Sequence, residues 1–368
     1  MDLTRLRPVF EHSGPYLTVH AEVGRTTETA GAQQQSRWTT VRHELERAHA
    51  DDRLVSEVGR RLQENTHAAG AVRRTLVATG DKVLLDDVQV GETHWPEVLD
   101  RDELPDLAAW AAAEDRAIPF VLVITDRTGA DVQAYRALAG GLAEQETVTG
   151  ETFHITKVPQ GDWAQPQFQQ TAENAWEQNA RLVAGEARTL ARRYGAALVL
   201  VAGEVRARAE VTRALESHDP GSIGTVVQVE SGGRAEGSSE EALWDEVRAY
   251  LAAAEREADA EVAGLLDEAR GRGEGAATGL DEVLEALRKS QVDRLVLDLQ
   301  ALSERTVTAA DLDGVPLPEP AASSDDLPAD RALLAAGALT GARLTVLPNS
   351  LARGGGASAL LRWSEPPV

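Results

Sequence analysis

A short loop in the middle of the chain carries the side chains with the clearest chemical potential. Pro159 and Pro166 flank this loop and mark it as irregular structure. Its tryptophan offers a plane that can stack on a nucleobase, and its glutamine offers an amide that can support a water molecule or an oxyanion. Taken alone, the segment is an exposed loop without a chemical role, so any function depends on the elements that position it. The loop residues are Gly161, Asp162, Trp163, Ala164 and Gln165.

Other reactive or metal-binding patterns are missing from the sequence. The eight histidines lack metal-ligand spacing, and no phosphate-binding glycine loop or nucleophile elbow follows a predicted strand. The glycines at 354–356 precede a strand and are predicted to form a flexible loop, and the acids in 255–261 are predicted to form a solvated helix face. Trp176 and Trp244 lie on apolar stripes and are predicted to be core residues. We therefore predict no metal and no cofactor.

Composition narrows the class of protein. The chain has 368 residues, no cysteine and a net charge of −23. The absence of cysteine excludes thiol chemistry, and the negative charge argues against broad, nonspecific binding of nucleic acid. It does not exclude a local arginine patch. No apolar run approaches the length of a membrane span, and residues 1–5 do not resemble a signal peptide, so we expect a cytoplasmic protein. The shortage of lysine beside abundant Ala, Arg and Gly is typical of a GC-rich bacterial genome.

The elements around the loop are predicted to be those of an α/β protein. A strand at 152–158 leads into the loop, and apolar residues at three- and four-residue steps from Phe168 to Tyr194 predict a long amphipathic helix. A buried strand follows at 196–202. Together these elements describe a mobile tip on a stiff, anchored helix. We predict three α/β domains at 1–117, 118–271 and 272–368, and a mobile excursion at 308–330 because that stretch is rich in Pro and Asp.

Four ordered patterns resemble one translation factor family. They are the strand-turn-strand at 121–129, the apolar strand ending in glycine at 197–203, the helix-and-strand pattern at 278–297 and the glycine-rich stretch before the last strand at 354–363. A loop that begins a long helix lies between the first and the second of these patterns. In this order, the patterns resemble those of the archaeal and eukaryotic class I release factors and Pelota. The resemblance covers roughly two thirds of the chain from Phe120 onward. It implies that the central and C-terminal domains are similar to the middle and C-terminal domains of release factors.

The loop itself, followed by Phe168, is most similar to the bacterial branch of this superfamily, which includes the ribosome hibernation factor Balon and actinobacterial relatives. The resemblance implies binding in the ribosomal A site, with the loop near the peptidyl transferase centre. It also implies elongation factor Tu as a possible companion. The rRNA contacts are then expected at the loop and at the cations of the following helix, Arg181, Arg188, Arg192 and Arg193.

The loop departs from the family's Gly-Gly-Gln motif in ways that affect the chemistry. Aligned through Phe168, the motif falls on Gly161, Asp162 and Trp163. Asp162 places a carboxylate where negative charge would develop during ester hydrolysis, which is unfavourable. Gln165 lies two positions late and is the candidate catalytic residue only if the loop shifts. The first domain also lacks the Asn-Ile-Lys-Ser stop-codon motif.

These observations leave three functions open. The first is a ribosome hibernation factor that occupies the A site without hydrolysis and binds independently of mRNA. The second is an enzyme, a peptidyl-tRNA hydrolase or rescue release factor. The third is a stress-linked scaffold that uses its acidic surface on protein partners. Nothing in the sequence suggests an obligate dimer, so we expect a monomer.

Overall fold

The computed structural model describes the chain in two compact units. The central unit is Ala117–Arg256, and the composite unit joins Met1–Arg116 with Glu257–Val368. The predicted division into three domains therefore stays a prediction. The described residues are 1–23, 30–47, 50–64, 72–80, 82–90, 95–137, 142–149, 165–217, 223–233 and 239–363, with only the backbone described at 30–34, 165–175 and 349.

The first part of the composite unit contains an antiparallel sheet of four strands among the described residues, in the order β3-β2-β1-β4. Two helices cover one face of this sheet through Val41, Leu45, Leu54 and Val58. After a 3-10 turn at Leu3–Leu6, the elements are α1 (Arg7–Phe10), β1 (Tyr16–Glu22), α2 (Ala30–Arg47), α3 (Asp52–Gln63), β2 (Val72–Thr79), β3 (Lys82–Val90), β4 (Val98–Asp102) and α4 (Ala108–Asp115).

β2 and β3 form a hairpin around Gly80. β2 and β3 pair in antiparallel register from Val72 opposite Val90 to Thr79 opposite Lys82. Gly80 has φ of 57°, the left-handed conformation that a tight hairpin turn needs and that glycine adopts without strain.

The central unit contains a sheet in the order β7-β6-β5-β8-β9, in which β5, β8 and β9 run parallel. Two helices, α5 and α6, lie on one face of this sheet, and the first half of α7 packs on the other face. The elements are β5 (Phe120–Thr125), β6 (Gly129–Tyr135), β7 (Leu142–Thr149), α5 (Gln165–Tyr194), β8 (Leu198–Gly203), α6 (Val205–Glu216), β9 (Thr225–Gln228) and α7 (Glu240–Arg272).

The predicted long helix and the buried strand after it are confirmed as α5 and β8. Helix α5 begins at Gln165, so Pro166 lies in its first turn. Backbone N–H groups in the first turn have no intrahelical acceptor, so the missing N–H of proline costs no hydrogen bond there. The helix ends at Tyr194, and the following Gly195 terminates it with a φ of 61°. The strand predicted at 152–158 lies outside the described residues. The edge strand β7 was not predicted, because its mostly exposed sequence has no apolar alternation.

The rest of the composite unit surrounds a second mixed sheet in the order β10-β15-β11-β14. Its core includes α11 and joins residues from both ends of the chain, among them Leu3, Trp110, Leu295 and Leu333. The elements are β10 (Ala276–Thr278), α8 (Leu280–Arg288), β11 (Val292–Leu297), α9 (Leu299–Ser303), β12 (Thr306–Thr308), α10 (Ala309–Leu312), β13 (Asp326–Pro328), α11 (Ala329–Thr340), β14 (Arg343–Val346), α12 (Asn349–Ala352) and β15 (Ala357–Leu361).

The prediction of a mobile excursion at 308–330 is wrong. Thr308 and Asp311 form a capping box that starts α10, and β13 pairs with β12. Leu312, Ala321 and Leu327 are buried in the main core of the unit. The prediction followed the Pro- and Asp-rich composition and gave too little weight to these three widely spaced apolar residues. Their burial is enough to order the segment. In the part of the chain that the structure describes, no helix combines the length and the apolarity that a membrane crossing requires.

Candidate functional site

The predicted loop can be located only through the elements beside it. Gly161, Asp162, Trp163 and Ala164 lie outside the described residues, as does the rest of 150–164 between β7 and α5. Gln165 is the first residue of α5, with its backbone described. The assignment of these five residues to a functional tip therefore remains a prediction.

The described side chains of α5 anchor it to the central sheet. Ala180, Val183, Ala184, Ala187 and Leu190 are at most 5% exposed, and they pack against apolar residues of β5, β6 and β8. Their three- and four-residue spacing places them on one face of the helix, as the sequence predicted. The described part of the helix is thus a fixed support for whatever its first turns carry.

The four predicted arginines of α5 have different environments. Arg181 is exposed and forms an ion pair with Glu177 one turn earlier, at 3.4 Å. Arg192 is exposed and also has an interaction within the chain. Because an exposed ion pair is weak, a phosphate group can compete with Glu177 for the Arg181 guanidinium.

Arg188 and Arg193 are held more firmly. Arg188 donates hydrogen bonds to the main-chain carbonyls of Ala214 and Leu215 at the end of α6, and burial lowers the pKa of its guanidinium. Arg193 donates to Glu144 on β7, which also accepts a hydrogen bond from the Tyr194 hydroxyl at 2.9 Å. The hydrogen bonds from Arg193 and Tyr194 lower the pKa of the Glu144 carboxyl. Both arginines therefore connect α5 to neighbouring elements.

A small cleft, partly open to solvent, lies between α5 and α6 at the carboxyl ends of β5 and β8. In open α/β sheets this edge is the usual place for a ligand. Sequence reasoning missed the cleft, because its two walls are about thirty positions apart. The lining residues are Thr125, Asp126, Arg127, Gly129, Trp176, Asn179, Ala180, Val183, Glu204, Arg206, Ala207, Glu210 and Val211.

Gly203 permits the close approach of β8 to β5 at the base of this cleft. It has φ of 118°, and a Cβ atom there would lie 1.9 Å from the carbonyl oxygen of Thr125. The next residue, Glu204, donates its N–H to that same carbonyl at 3.0 Å. A glycine at this position is therefore required to bring the start of α6 next to the end of β5.

Hydrogen bonds fix the rim of the cleft. Arg127 Nε lies 2.8 and 2.9 Å from the two carboxylate oxygens of Glu204. The Asp126 carboxylate accepts from the backbone N–H groups of Thr128 and Gly129 at 2.7 and 3.0 Å, which stabilises the turn between β5 and β6. The turn and the start of α6 are thus held together by their side chains.

Trp176 is not the core residue that the sequence predicted. The indole is half-buried and lines the cleft, and the guanidinium carbon of Arg206 lies over it at 4.1 Å from the ring centroid. Ala180 and Val183 continue the helical stripe below it and are fully buried. Trp176 therefore belongs to the apolar face of α5 but lies beyond the part of that face that packs on the sheet. The periodicity of apolar residues alone does not distinguish such a position from the core.

The charges of the lining do not favour a phosphate group. Asp126, Glu204 and Glu210 outnumber Arg127 and Arg206, and Arg127 is already paired with Glu204. A metal is not indicated either, since the described residues contain no group of three or more His, Asp or Glu side chains arranged to hold one.

One family model and one curated relative match the chain. Residues 119–272 match the model of the bacterial archaeo-eukaryotic release factor family 2. An uncharacterized protein present in two strains of Mycobacterium tuberculosis is 30% identical over 374 residues, covering 98% of this chain and 96% of that protein.

Solved structures with a similar fold are more distant. Archaeal Pelota, from a model of its ribosome-bound state, is 15% identical with a TM-score of 0.44, covering 99% of this chain and 95% of that one. S. cerevisiae Dom34, described as a translation termination-like factor, is 11% identical with a TM-score of 0.43, covering 80% and 81%. On the family match and the full-length mycobacterial relative, the chain belongs to the bacterial archaeo-eukaryotic release factor family 2.

Proposed function

We propose that the protein is a ribosome-binding factor of the bacterial cytoplasm that occupies the A site and blocks it without hydrolysing peptidyl-tRNA. The observation that carries this proposal is the family match over 119–272, which contains the loop at 161–165 and all of α5. In this arrangement the loop lies near the peptidyl transferase centre. α5, anchored to the central sheet, supports it.

The sequence of the loop supports occupancy without catalysis. Hydrolysis needs a flexible Gly-Gly backbone close to the ester and a glutamine amide beside the attacking water. Gly161, Asp162 and Trp163 occupy the positions of that motif, so an acid stands where negative charge develops and a large ring fills the space for water. The indole of Trp163 instead stacks on an rRNA base, a contact worth about 1–3 kcal/mol.

The arginines of α5 supply the phosphate contacts in this proposal. Arg181 and Arg192 are exposed and contribute most. Arg188 and Arg193 contribute only through the guanidinium N–H groups that do not already donate hydrogen bonds within the chain. With at most four such contacts, the logarithm of affinity against the logarithm of salt concentration has a slope no steeper than about −4. The protein acts as a monomer, and elongation factor Tu is its candidate companion.

Co-sedimentation with vacant 70S ribosomes tests the binding. We expect wild-type protein in the 70S fraction and at least a fivefold loss of affinity for Trp163→Ala, the lower limit for a stacked base. Trp363→Ala is the matched control, because Trp363 is 51% exposed in the composite unit and has no part in the proposal. Absence of wild-type protein from the 70S and 50S fractions would contradict ribosome binding and favour the scaffold function.

Release of labelled peptide from stalled ribosomes tests the absence of hydrolysis. We expect no release above background, and no change with Gln165→Ala. Release that is lost on Gln165→Ala would show that the loop shifts to bring this amide into place, and the protein would then be a rescue release factor. A cryo-electron microscopy map of the complex would show whether the loop reaches the peptidyl transferase centre.

A further inference from the structure

A single carboxylate of the central unit accepts hydrogen bonds from two side chains at the end of α5. Glu144, on the edge strand β7, accepts from Arg193 and, at 2.9 Å, from the Tyr194 hydroxyl. The register of the sheet places Glu144 opposite Ala134 of β6, on the face that α5 covers. Arg136 directly follows β6, two residues after Ala134, so the alternation of side chains along the strand directs it to the same face.

The electrostatic effects within this group agree with that placement. The hydrogen bond to Glu144 is the main cause of the raised pKa of the Tyr194 hydroxyl, and the positive charges of Arg136 and Arg193 oppose this rise. Arg136 is exposed, and no described residue forms an ion pair with it. The carboxylate of Glu144 therefore lies among two guanidinium groups and a hydroxyl, and one of these guanidinium groups is exposed and unpaired among the described residues.

We propose that Arg136, Arg193 and Tyr194 form a binding site for one phosphate group of RNA, which Glu144 occupies in the free protein. The inference rests on the proposed ribosome binding and adds its regulation, since RNA must displace the carboxylate. A phosphate diester presents two oxygens that accept charge-assisted hydrogen bonds, as a carboxylate does, so it can bind the same donors. Arg136 adds a contact that the four arginines of α5 do not include.

The exchange of carboxylate for phosphate requires little rearrangement. The side chain of Arg193 is 55% exposed and that of Glu144 is 25% exposed, and an ion pair in such a position is weak. The backbone of Glu144 is paired with β6, so only its side chain has to turn away. A phosphate diester carries one negative charge, as the carboxylate does, so the net charge of the site is unchanged.

Other carboxylates near the site limit what can bind there. The charge of Glu186, on α5, also raises the pKa of Arg193, but less than Glu144 does. Glu146 is exposed and follows two residues after Glu144 on β7. Both carboxylates remain when Glu144 turns away, which favours one diester over an anion of higher charge. An acidic protein segment is the competing occupant, since its carboxylates could accept from the same donors.

The first experiment compares the ribosome affinities of full-length variants. Glu144→Gln removes the charge that holds Arg193 and keeps an acceptor for the Tyr194 hydroxyl, and we expect binding to become about fivefold tighter. Glu146→Gln is the matched control, because it removes the same charge from an exposed residue of the same strand; its affinity should equal that of the wild type. Arg136→Gln should weaken binding about fivefold.

These outcomes separate competition from a structural role of Glu144. A carboxylate that only supports the fold would give unchanged or weaker binding when it is replaced. Unchanged or weaker binding of Glu144→Gln would therefore overturn the inference and leave ribosome binding standing. Equal gains for Glu144→Gln and Glu146→Gln would also overturn it, because the effect would then come from the overall charge.

A double-variant comparison tests whether Glu144 acts through Arg193. We expect the gain from Glu144→Gln to disappear when Arg193→Gln is already present, because the guanidinium that the carboxylate occupies is then missing. A gain of the same size in both backgrounds would overturn the inference.

If the wild-type protein binds no ribosomes, the proposed function fails and fluorescence anisotropy with a labelled single-stranded oligoribonucleotide at low salt decides this inference. We expect Glu144→Gln to bind the oligonucleotide about fivefold more tightly than Glu146→Gln. No binding, or equal binding by the two variants, would overturn it. Binding of a labelled oligoglutamate peptide that increases on Glu144→Gln, while binding of the oligonucleotide does not, would also overturn it and assign the site to an acidic protein segment.

Discussion

Arg188 on α5 donates a hydrogen bond to the main-chain carbonyl of Leu215 in the last turn of α6, at 3.1 Å, and another to the carbonyl of Ala214. Carbonyls at the end of a helix lack intrahelical partners. The guanidinium satisfies the Leu215 carbonyl and shares the Ala214 carbonyl with the Ser217 hydroxyl, which donates to it at 3.0 Å. The arginine therefore joins the two helices that form the walls of the cleft.

Replacing Arg188 should therefore affect stability before it affects binding. We expect Arg188→Ala to lower the free energy of unfolding by about 1–3 kcal/mol, because charged hydrogen bonds to partly buried carbonyls are lost. Arg181→Ala, which breaks only an exposed pair with Glu177, should cost at most about 1 kcal/mol. Urea denaturation followed by circular dichroism measures both. Equal, small losses for the two variants would show that the bonds of Arg188 contribute no more than a surface ion pair.

Gly203 provides a second stability prediction, at the base of the cleft. We expect Gly203→Ala to destabilise the protein by at least about 3 kcal/mol, because its φ of 118° is strained for alanine and the new methyl would lie 1.9 Å from the Thr125 carbonyl. Gly185→Ala is the control. Gly185 lies inside α5, and among the described residues a Cβ atom there would meet nothing within 4 Å beyond the backbone of its own helix, so this change should stabilise by about 0.5–1 kcal/mol. Thermal unfolding of the two variants should shift in opposite directions.

The parts of the fold that could be predicted from the sequence are those with a strong local signal. The apolar spacing from Val183 to Leu190 predicts α5, because the period of the pattern is the period of the helix. β7 gave no such signal, since an exposed edge strand needs no apolar alternation. The order within 308–330 depends on contacts of Leu312 and Leu327 with residues distant in sequence, which composition does not contain.

The candidate site was predictable only in part, for a related reason. The loop residues and the arginines of α5 could be chosen by type and position. The Trp176–Arg206 contact could not, because it exists only when α5 and α6 pack side by side on the sheet. Likewise, nothing in the sequence separates Arg188, which binds the end of α6, from Arg192 one turn later.

His20 should make the stability of the composite unit sensitive to acid. It is 2% exposed, its Nδ1 lies 2.8 Å from the Thr75 hydroxyl, and burial, with a smaller effect of Arg73, lowers its pKa to about 4. Between pH 6.5 and 4 the unfolded chain binds a proton at this residue and the folded chain does not. Stability contributed by neutral His20 is therefore present above pH 6.5 and lost as the pH falls toward 4.

Between pH 7 and pH 5, the titration of His20 should lower the free energy of unfolding by about 2 kcal/mol. His20→Gln removes the titration, so the variant should lose about that much less stability than the wild type over this range. Urea unfolding at the two pH values measures the difference. The exposed His43 provides the control, and His43→Gln should follow the wild type. Parallel pH profiles for wild type and His20→Gln would contradict the effect of burial.

Asp330 should act in the opposite direction within the same unit. It lies in the first turn of α11, is 2% exposed, and has its pKa raised to about 6, mainly by burial and also by the charge of Asp106. The adjacent Arg331 opposes this rise only partly, because it pairs with Asp100 at 2.6 Å and Asp102 at 2.8 Å. The folded chain thus keeps a proton between pH 3.8 and 6 that the unfolded chain loses, so stability falls as the pH rises through this window.

Asp330→Asn removes this cost of ionisation and keeps an oxygen that can accept hydrogen bonds at the start of the helix. We expect the free energy of unfolding of the variant, minus that of the wild type, to be about 2 kcal/mol larger at pH 8 than at pH 4.5. Asp281→Asn, in the exposed first turn of α8, is the matched control. It should show no such gain in stability between pH 4.5 and pH 8, because the Asp281 carboxylate is exposed and stays hydrated in the folded chain. A stability difference between Asp330→Asn and wild type that is the same at both pH values would mean that the carboxyl is not held protonated by its surroundings.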